Sequence, residues 1–198
     1  MNSHNHRIIT VGRRIGAGGL QIAGMLSQRL GIQMFDRELM AEAAKEYGLD
    51  PEIFEKRDEK STWNLKSLFG MHNNLIMDED MFKMQSEVML RKAAEQDCIF
   101  VGRCADYVLR DCPNLFSVFI TAPLEYRVKR IASIKGWDES QARSWIEKSE
   151  KSRASYYNYY TFKTWGDSAS YDLCINSEAV GGIENSVDLI IEAMEKGK

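Results

Sequence analysis

Residues 8–31 read IITVGRRIGAGGLQIAGMLSQRLG: an apolar run of β type, a glycine-rich turn, then an amphipathic helical stretch. In a strand–loop–helix unit of this kind, glycines let successive backbone N–H groups point inward, and the helix presents its positive dipole end to an anion. Gly12, Gly16, Gly18 and Gly19 mark the turn, with Ala17 and Leu20 between and after them. The full phosphate-loop pattern is G-x-x-x-x-G-K-[ST], in which Lys reaches the terminal phosphates and the hydroxyl holds magnesium. Aligned on Gly16-Ala17-Gly18, the chain has Gly19 where the lysine belongs and Leu20 where the hydroxyl belongs. The turn also reads as tight helix–strand packing without a ligand.

Around this unit, short apolar runs alternate with longer helical patterns. The runs are Ile8–Gly12, Ile32–Phe35, Cys98–Gly102, Leu115–Thr121 and Tyr171–Asn176. They are continuous rather than alternating, as expected of strands covered on both faces in a parallel sheet. Helical patterns occupy Leu20–Leu30, Arg37–Tyr47, Asp78–Gln96, Pro123–Lys135, a stretch opening at Asp138, and residues 183–196. The alternation predicts a doubly wound α/β domain with ligands above the carboxyl ends of the strands. Residues 37–97 and 137–170 are too long for simple crossovers, so they are expected to carry helices of their own and to act as lids.

Composition bounds the reading further. A chain of 198 residues with 44% apolar content fits one domain with a real core. A formal net charge of −3 provides no global basic field for nucleic acid or a membrane surface. Cys98, Cys104, Cys112 and Cys174 lack C-x-x-C spacing and read as reduced thiols. The polar start MNSHNHR has no signal-peptide core, and no segment approaches the ~20 apolar residues of a membrane span. The cytoplasm is the expected compartment. His4, His6 and His72 have no ligand spacing, so no protein-borne metal site is expected.

GRRIGAGG, FDREL, VGRCADYVL, APLEYRVKR, SRASYYNYYTFKTWGD and YDLCINS occur in this order, from about Ile8 to the final helix. Together they resemble the cytidylate kinase-like family of P-loop nucleoside monophosphate kinases. The resemblance implies one P-loop kinase domain over 1–198, with a parallel five-stranded sheet and flanking helices. It also implies a nucleoside-monophosphate-binding insertion at 37–97 and a lid at 137–165. The implied reaction moves the ATP γ-phosphoryl to CMP, dCMP or a similar acceptor, with Mg2+ held mainly through the nucleotide and water. Small nucleotides are then the partners, not nucleic acid or membrane.

Candidate roles follow. The loop from Gly12 to Leu20, Arg13 included, would take the donor phosphates. By resemblance, Asp36 and Arg37 face the acceptor nucleotide, and Gly102-Arg103 with Asp106 is the counterpart of an acceptor-phosphate element. Asp36 also reads as a helix N-cap, and Asp106 as first-turn decoration. Arg130 would reach the donor nucleotide by resemblance, although with Arg127 it equally reads as a solvated helix face. Lid cations Lys151 and Arg153 would neutralise the phosphoryl in flight, while Tyr156, Tyr157, Tyr159 and Tyr160 mostly pack. Arg14, the nearest cation within the loop, is expected to supply the charge that Gly19 lacks, with Arg13 secondary. Gly19 and Leu20 equally support a non-catalytic nucleotide-binding regulator. A kinase for another small acceptor on the same fold is the third reading.

Overall fold

The computed structural model describes residues 6–36 and 72–197. In chain order these form β1 (Ile8–Arg13), α1 (Gly19–Leu30), β2 (Gln33–Phe35), α2 (His72–Glu95), β3 (Cys98–Val101), the short α3 (Ala105–Val108), β4 (Leu115–Thr121), α4 (Leu124–Lys135), α5 (Glu139–Thr161), β5 (Leu173–Asn176) and α6 (Ile183–Lys196). The five strands are parallel in the order β2-β3-β1-β4-β5. β1 therefore runs up the centre, and the glycine loop leaves the middle of the sheet's carboxyl edge. The helix expected over Arg37–Tyr47 and more than half of the 37–97 insertion lie outside the described residues.

Successive strand residues face opposite sides of a sheet, and both sides are apolar here. Ile9, Val11, Ile99, Val101, Val118 and Ile120 pack on one side with Ile22 and Leu26 of α1 and Val187 and Ile190 of α6. Ile8, Cys98 and Phe100 pack on the other with Val88 and Met89 of α2 and Leu109 beyond α3. Each large side chain so buried contributes roughly 1.5–3 kcal/mol relative to exposure. A third cluster joins Ile15 of the glycine loop to Val128 and Ile131 of α4 and Ala142 and Ile146 of α5. The loop is thus anchored by its one large apolar residue to the helix pair behind it.

Two boundaries differ from the sequence expectation by more than one residue. β5 starts at Leu173 rather than Tyr171, because the Asp172 carboxylate accepts hydrogen bonds from Ser117 N and Oγ, both at 2.7 Å, and interrupts the ladder there. α2 begins at His72, so the acidic residues from Asp78 lie inside the helix rather than at its start. α5 starts as expected. Asp138 accepts from Gln141 N at 2.8 Å, and the Gln141 side chain closes a capping box on the Asp138 N–H. Asp138→Ala is expected to cost about 1 kcal/mol, or roughly 2–4 °C in Tm for a domain of this size, whereas Asp138→Ser retains most of the cap. Thermal melting of both variants checks this.

Candidate functional site at the carboxyl edge of the sheet

The loop after β1 is built by backbone bonds to the sheet. Arg14 N donates to Ile120 O at 2.9 Å, and Ser177 Oγ after β5 donates to Ala17 O at 2.8 Å. The chain turns left-handed at Gly16 and Gly18, with φ of 80° and 86°. α1 then begins at Gly19 with no side-chain cap and no acidic residue in its first turn. Its first N–H groups consequently face the edge without a protein carboxylate among them, the arrangement that favours an anion.

Behind the loop, one carboxylate gathers two arginines. Glu150 of α5 accepts from Arg14 Nη1 at 3.2 Å, from Arg127 Nη1 at 2.8 Å and from Ile15 N at 3.1 Å. Arg127 is buried, only 5% exposed, and also donates to Ala122 O at 2.8 Å and Ile15 O at 3.1 Å. Burial lowers the Arg127 pKa and Glu150 raises it back. Arg14 also stands over the Trp165 ring, with its guanidinium carbon 5.3 Å from the ring centroid. Arg127 and Arg130, three apart on α4 and for which a shared solvated face is the alternative reading of the sequence, are split: Arg127 turns inward to Glu150, while Arg130 bonds Gln21 of α1 near Gly18. The clamp of Glu150 and Arg127 was missed in the sequence, where Glu150 is one acid among many on a charged helix.

In front of the loop lies a second group of cations. The Arg13 side chain runs past Gly19 and lays its guanidinium against Gly102 at the end of β3. Burial pushes the Arg13 pKa down to about 9, Arg153 and Arg103 push in the same direction, and Asp36 pulls it back up. Arginine is effectively always charged in proteins, so the depression expresses a crowded cation, not a neutral one. Arg153 Nη1 donates to Arg13 O at 3.4 Å, and burial lowers its own pKa too. Asp36, directly after β2, thus belongs to the same group. Arg37 lies outside the described residues.

Arg103 reaches this group from a strained turn. Gly102, Arg103 and Cys104 are consecutively left-handed, with φ of 75°, 57° and 57°. For the two non-glycine residues that conformation costs roughly 1–2 kcal/mol each. Strain of this sort concentrates where a side chain must be aimed. Next along the chain, Asp106 accepts from Tyr157 Oη at 2.7 Å. Burial raises the Asp106 pKa above the usual carboxylate range, with the Tyr157 bond pulling it back. Asp106 therefore ties α5 to the β3 end. Tyr156 Oη is buried without a well-formed hydrogen bond, and burial raises its pKa while Arg103 lowers it. Tyr160 stacks on Phe82 of α2 at 4.2 Å between centroids. Tyr156 and Tyr157 together with Tyr160 therefore pack as expected, whereas Tyr159 is 52% exposed. Lys151 is exposed on α5, away from the burial that surrounds Arg153. Asp167 caps a short turn by accepting from Ala169 N. The four cysteines are free thiols.

With this geometry in view, comparison with known proteins assigns the chain. The model of the cytidylate kinase-like family matches residues 8–179. The chain belongs to the cytidylate kinase-like family. It is 28% identical over 179 residues to a cytidylate kinase of Methanopyrus kandleri, covering 86% of this chain and 84% of that one. It is 27% identical to a cytidylate kinase of Methanosarcina acetivorans over 86% and 87% of the two chains. Among solved structures, an uncharacterized protein from Eubacterium ventriosum superposes with a TM-score of 0.74 at 28% identity, covering 96% and 99% of the chains. A shikimate kinase from Bacteroides thetaiotaomicron, at 16% identity and TM-score 0.56 over 96% and 98% of the chains, shares the fold. The parallel sheet with flanking helices is thus that of the P-loop kinases. Among the described residues no helix is long and apolar enough to cross a membrane.

Removing Arg127 would take from Glu150 its shortest hydrogen bond and the more deeply buried of its two counter-charges, and would take the arginine's bonds from two carbonyls. Arg127→Met is expected to destabilise the protein by about 3–5 kcal/mol. Glu150→Gln still accepts from Arg127 and Ile15 but leaves the buried Arg127 without a counter-charge, so it should also destabilise, by somewhat less because the two carbonyls keep their donor. Denaturant unfolding of the two variants measures both.

Proposed function

We propose that this member of the family is a nucleoside monophosphate kinase that transfers the γ-phosphoryl of ATP to CMP, dCMP or a closely similar acceptor. The observation that carries the reading is the gathering of Arg13, Arg103 and Arg153 between the glycine loop and the end of β3, with Asp36 beside them. On this reading the amides of Gly16–Leu20 hold the donor's phosphates, and Arg130 at the loop mouth borders the donor nucleotide. Arg103 with Asp36 and Asp106 forms the acceptor side, and Arg153 bridges the two. Residues 137–165 act as the lid that brings Lys151 and Arg153 over the reacting groups, and the cytidylate kinases of the archaeal relatives are the basis for naming a cytidine nucleotide.

The chemistry asks for positioning more than for covalent participation. An oxygen of the acceptor's phosphate forms a bond to the γ-phosphorus as the bond to the β–γ bridging oxygen breaks, and ADP leaves with that electron pair. The acceptor phosphate is already ionised, so no general base is needed. Negative charge gathers on the equatorial oxygens, and fixed arginines in a desolvated edge stabilise it without reorganising. Magnesium would come bound to the nucleotide: Leu20 has no hydroxyl, and among the described residues no three acidic, cysteine or histidine side chains gather. Nucleotide oxygens and water would hold it.

Gly19 and Leu20 favour a second reading, a nucleotide-binding regulator without turnover. A coupled assay over the common nucleoside monophosphates separates them. Under the kinase reading CMP or dCMP is phosphorylated, and Arg103→Ala raises the acceptor KM by one to two decades while ATP affinity stays within about twofold. ATP binding with no acceptor phosphorylated supports the regulator. An unchanged KM in Arg103→Ala removes Arg103 from the acceptor side.

A further inference from the structure

We propose that the cation and the glycine of the phosphate loop have exchanged ends: Arg13, at the loop's first position, serves the donor's terminal phosphates, and Gly19, at its last, is bare to let the Arg13 stem pass. The inference rests on the nucleotide-binding reading above and names the residue that makes it work without a lysine.

Both halves of the exchange are visible. In the pattern G-x-x-x-x-G-K the first glycine and the lysine stand six positions apart. With Gly18 as the second glycine, Gly19 holds the lysine's place and Arg13 holds the first glycine's. The two positions touch in space. A Cβ built on Gly19 would lie 2.5 Å from Arg13 Cβ, 2.9 Å from its Cγ and 3.7 Å from its Cδ. No side chain can enter there while Arg13 keeps its course, because two carbons cannot approach so closely. Further along, a Cβ on Gly102 would lie 1.9 Å from Arg13 Nη1 and 3.0 Å from its Cζ, so a side chain there would displace the head from this seat. Gly19 and Gly102 are the walls of a trough that fits one arginine.

The neighbouring arginine does not share this position. Arg14 is drawn backward to Glu150 and Trp165, behind the loop. The role expected for it from the sequence therefore passes to Arg13, whose guanidinium lies at the end of β3 with Arg103 and Arg153 near it. A planar fork that stays protonated can engage two phosphate oxygens at once, which an ammonium cannot do. Crowding by Arg103 and Arg153 makes that head a seat for anionic oxygens, which relieve the repulsion between them.

The test is a charge transplant read by ATP and AMP binding with magnesium, using calorimetry on the full chain, with thermal melts to confirm folding. Arg13→Met keeps the stem and removes the charge. It should lower ATP affinity at least tenfold and leave AMP affinity within about threefold, since AMP lacks the terminal phosphates. Arg13→Lys, which keeps the charge and loses the fork, should fall between Arg13→Met and wild type. Gly19→Lys alone should bind ATP at least tenfold more weakly than wild type, because the new stem collides with Arg13. The double variant Arg13→Gly with Gly19→Lys should recover to within a few-fold of wild type. The inference is overturned if Arg13→Met and wild type bind ATP equally, or if Gly19→Lys improves binding while Arg13 is in place. A wild-type protein that binds no ATP overturns the nucleotide reading itself, and this inference with it. Wild-type binding with an indifferent Arg13→Met overturns this inference alone.

Discussion

Glu150 holds the glycine loop to the helix behind it and fixes Arg14 and Arg127 there, which sets the two arginines of the loop on different courses. Its two oxygens take Arg14, Arg127 and the Ile15 N–H. A buried ion pair of this kind contributes little net stability, since desolvation offsets most of the attraction. What it fixes is position. Arg127 adds bonds to Ala122 and Ile15, so β4, the loop and α5 are joined at one point. One helical turn further along α5, Arg153 reaches the carbonyl of Arg13. Because Arg14 is held behind the loop, only Arg13 projects to the front.

The consequence is an edge rich in fixed positive charge inside a protein whose overall charge is −3. Arg153 and Arg103 stand close enough to Arg13 to add to the depression that burial imposes on its pKa, while Asp36 offsets only part of it. Such a cluster is costly in an empty fold and becomes favourable when anions enter, because attraction in a desolvated site is far stronger than in water. The left-handed run at Gly102, Arg103 and Cys104 is a second cost at the same place. Both are consistent with a surface shaped for two phosphorylated ligands meeting end to end, the geometry that direct phosphoryl transfer requires.

Much of this was legible in the chain. The five apolar runs became the five parallel strands because each is covered on both faces, which makes the pattern continuous and unmistakable. The β1–loop–α1 unit was readable because glycine spacing is a local signal. The start of α5 at Asp138 was readable for the same reason. Glu150 and Arg127 were not, since a long-range clamp between residues on different elements leaves no mark in local spacing. The choice between Arg13 and Arg14 was hidden as well. It depends on which way adjacent side chains leave the end of β1, and on the closeness of Gly19 and Gly102, both tertiary facts. Nor does any propensity suggest left-handed backbone at Arg103 and Cys104, where tertiary packing overrides the local preference.

The central claim is that one arginine-lined edge holds donor and acceptor phosphates at the same time. A dinucleoside pentaphosphate joining adenosine to cytidine spans both halves and can be titrated against the wild-type protein by calorimetry, beside ATP and CMP separately. The account predicts one site per chain and binding at least a hundredfold tighter than ATP, because the second half binds as a tethered group. Binding no tighter than ATP alone, or two molecules bound per chain, would contradict it.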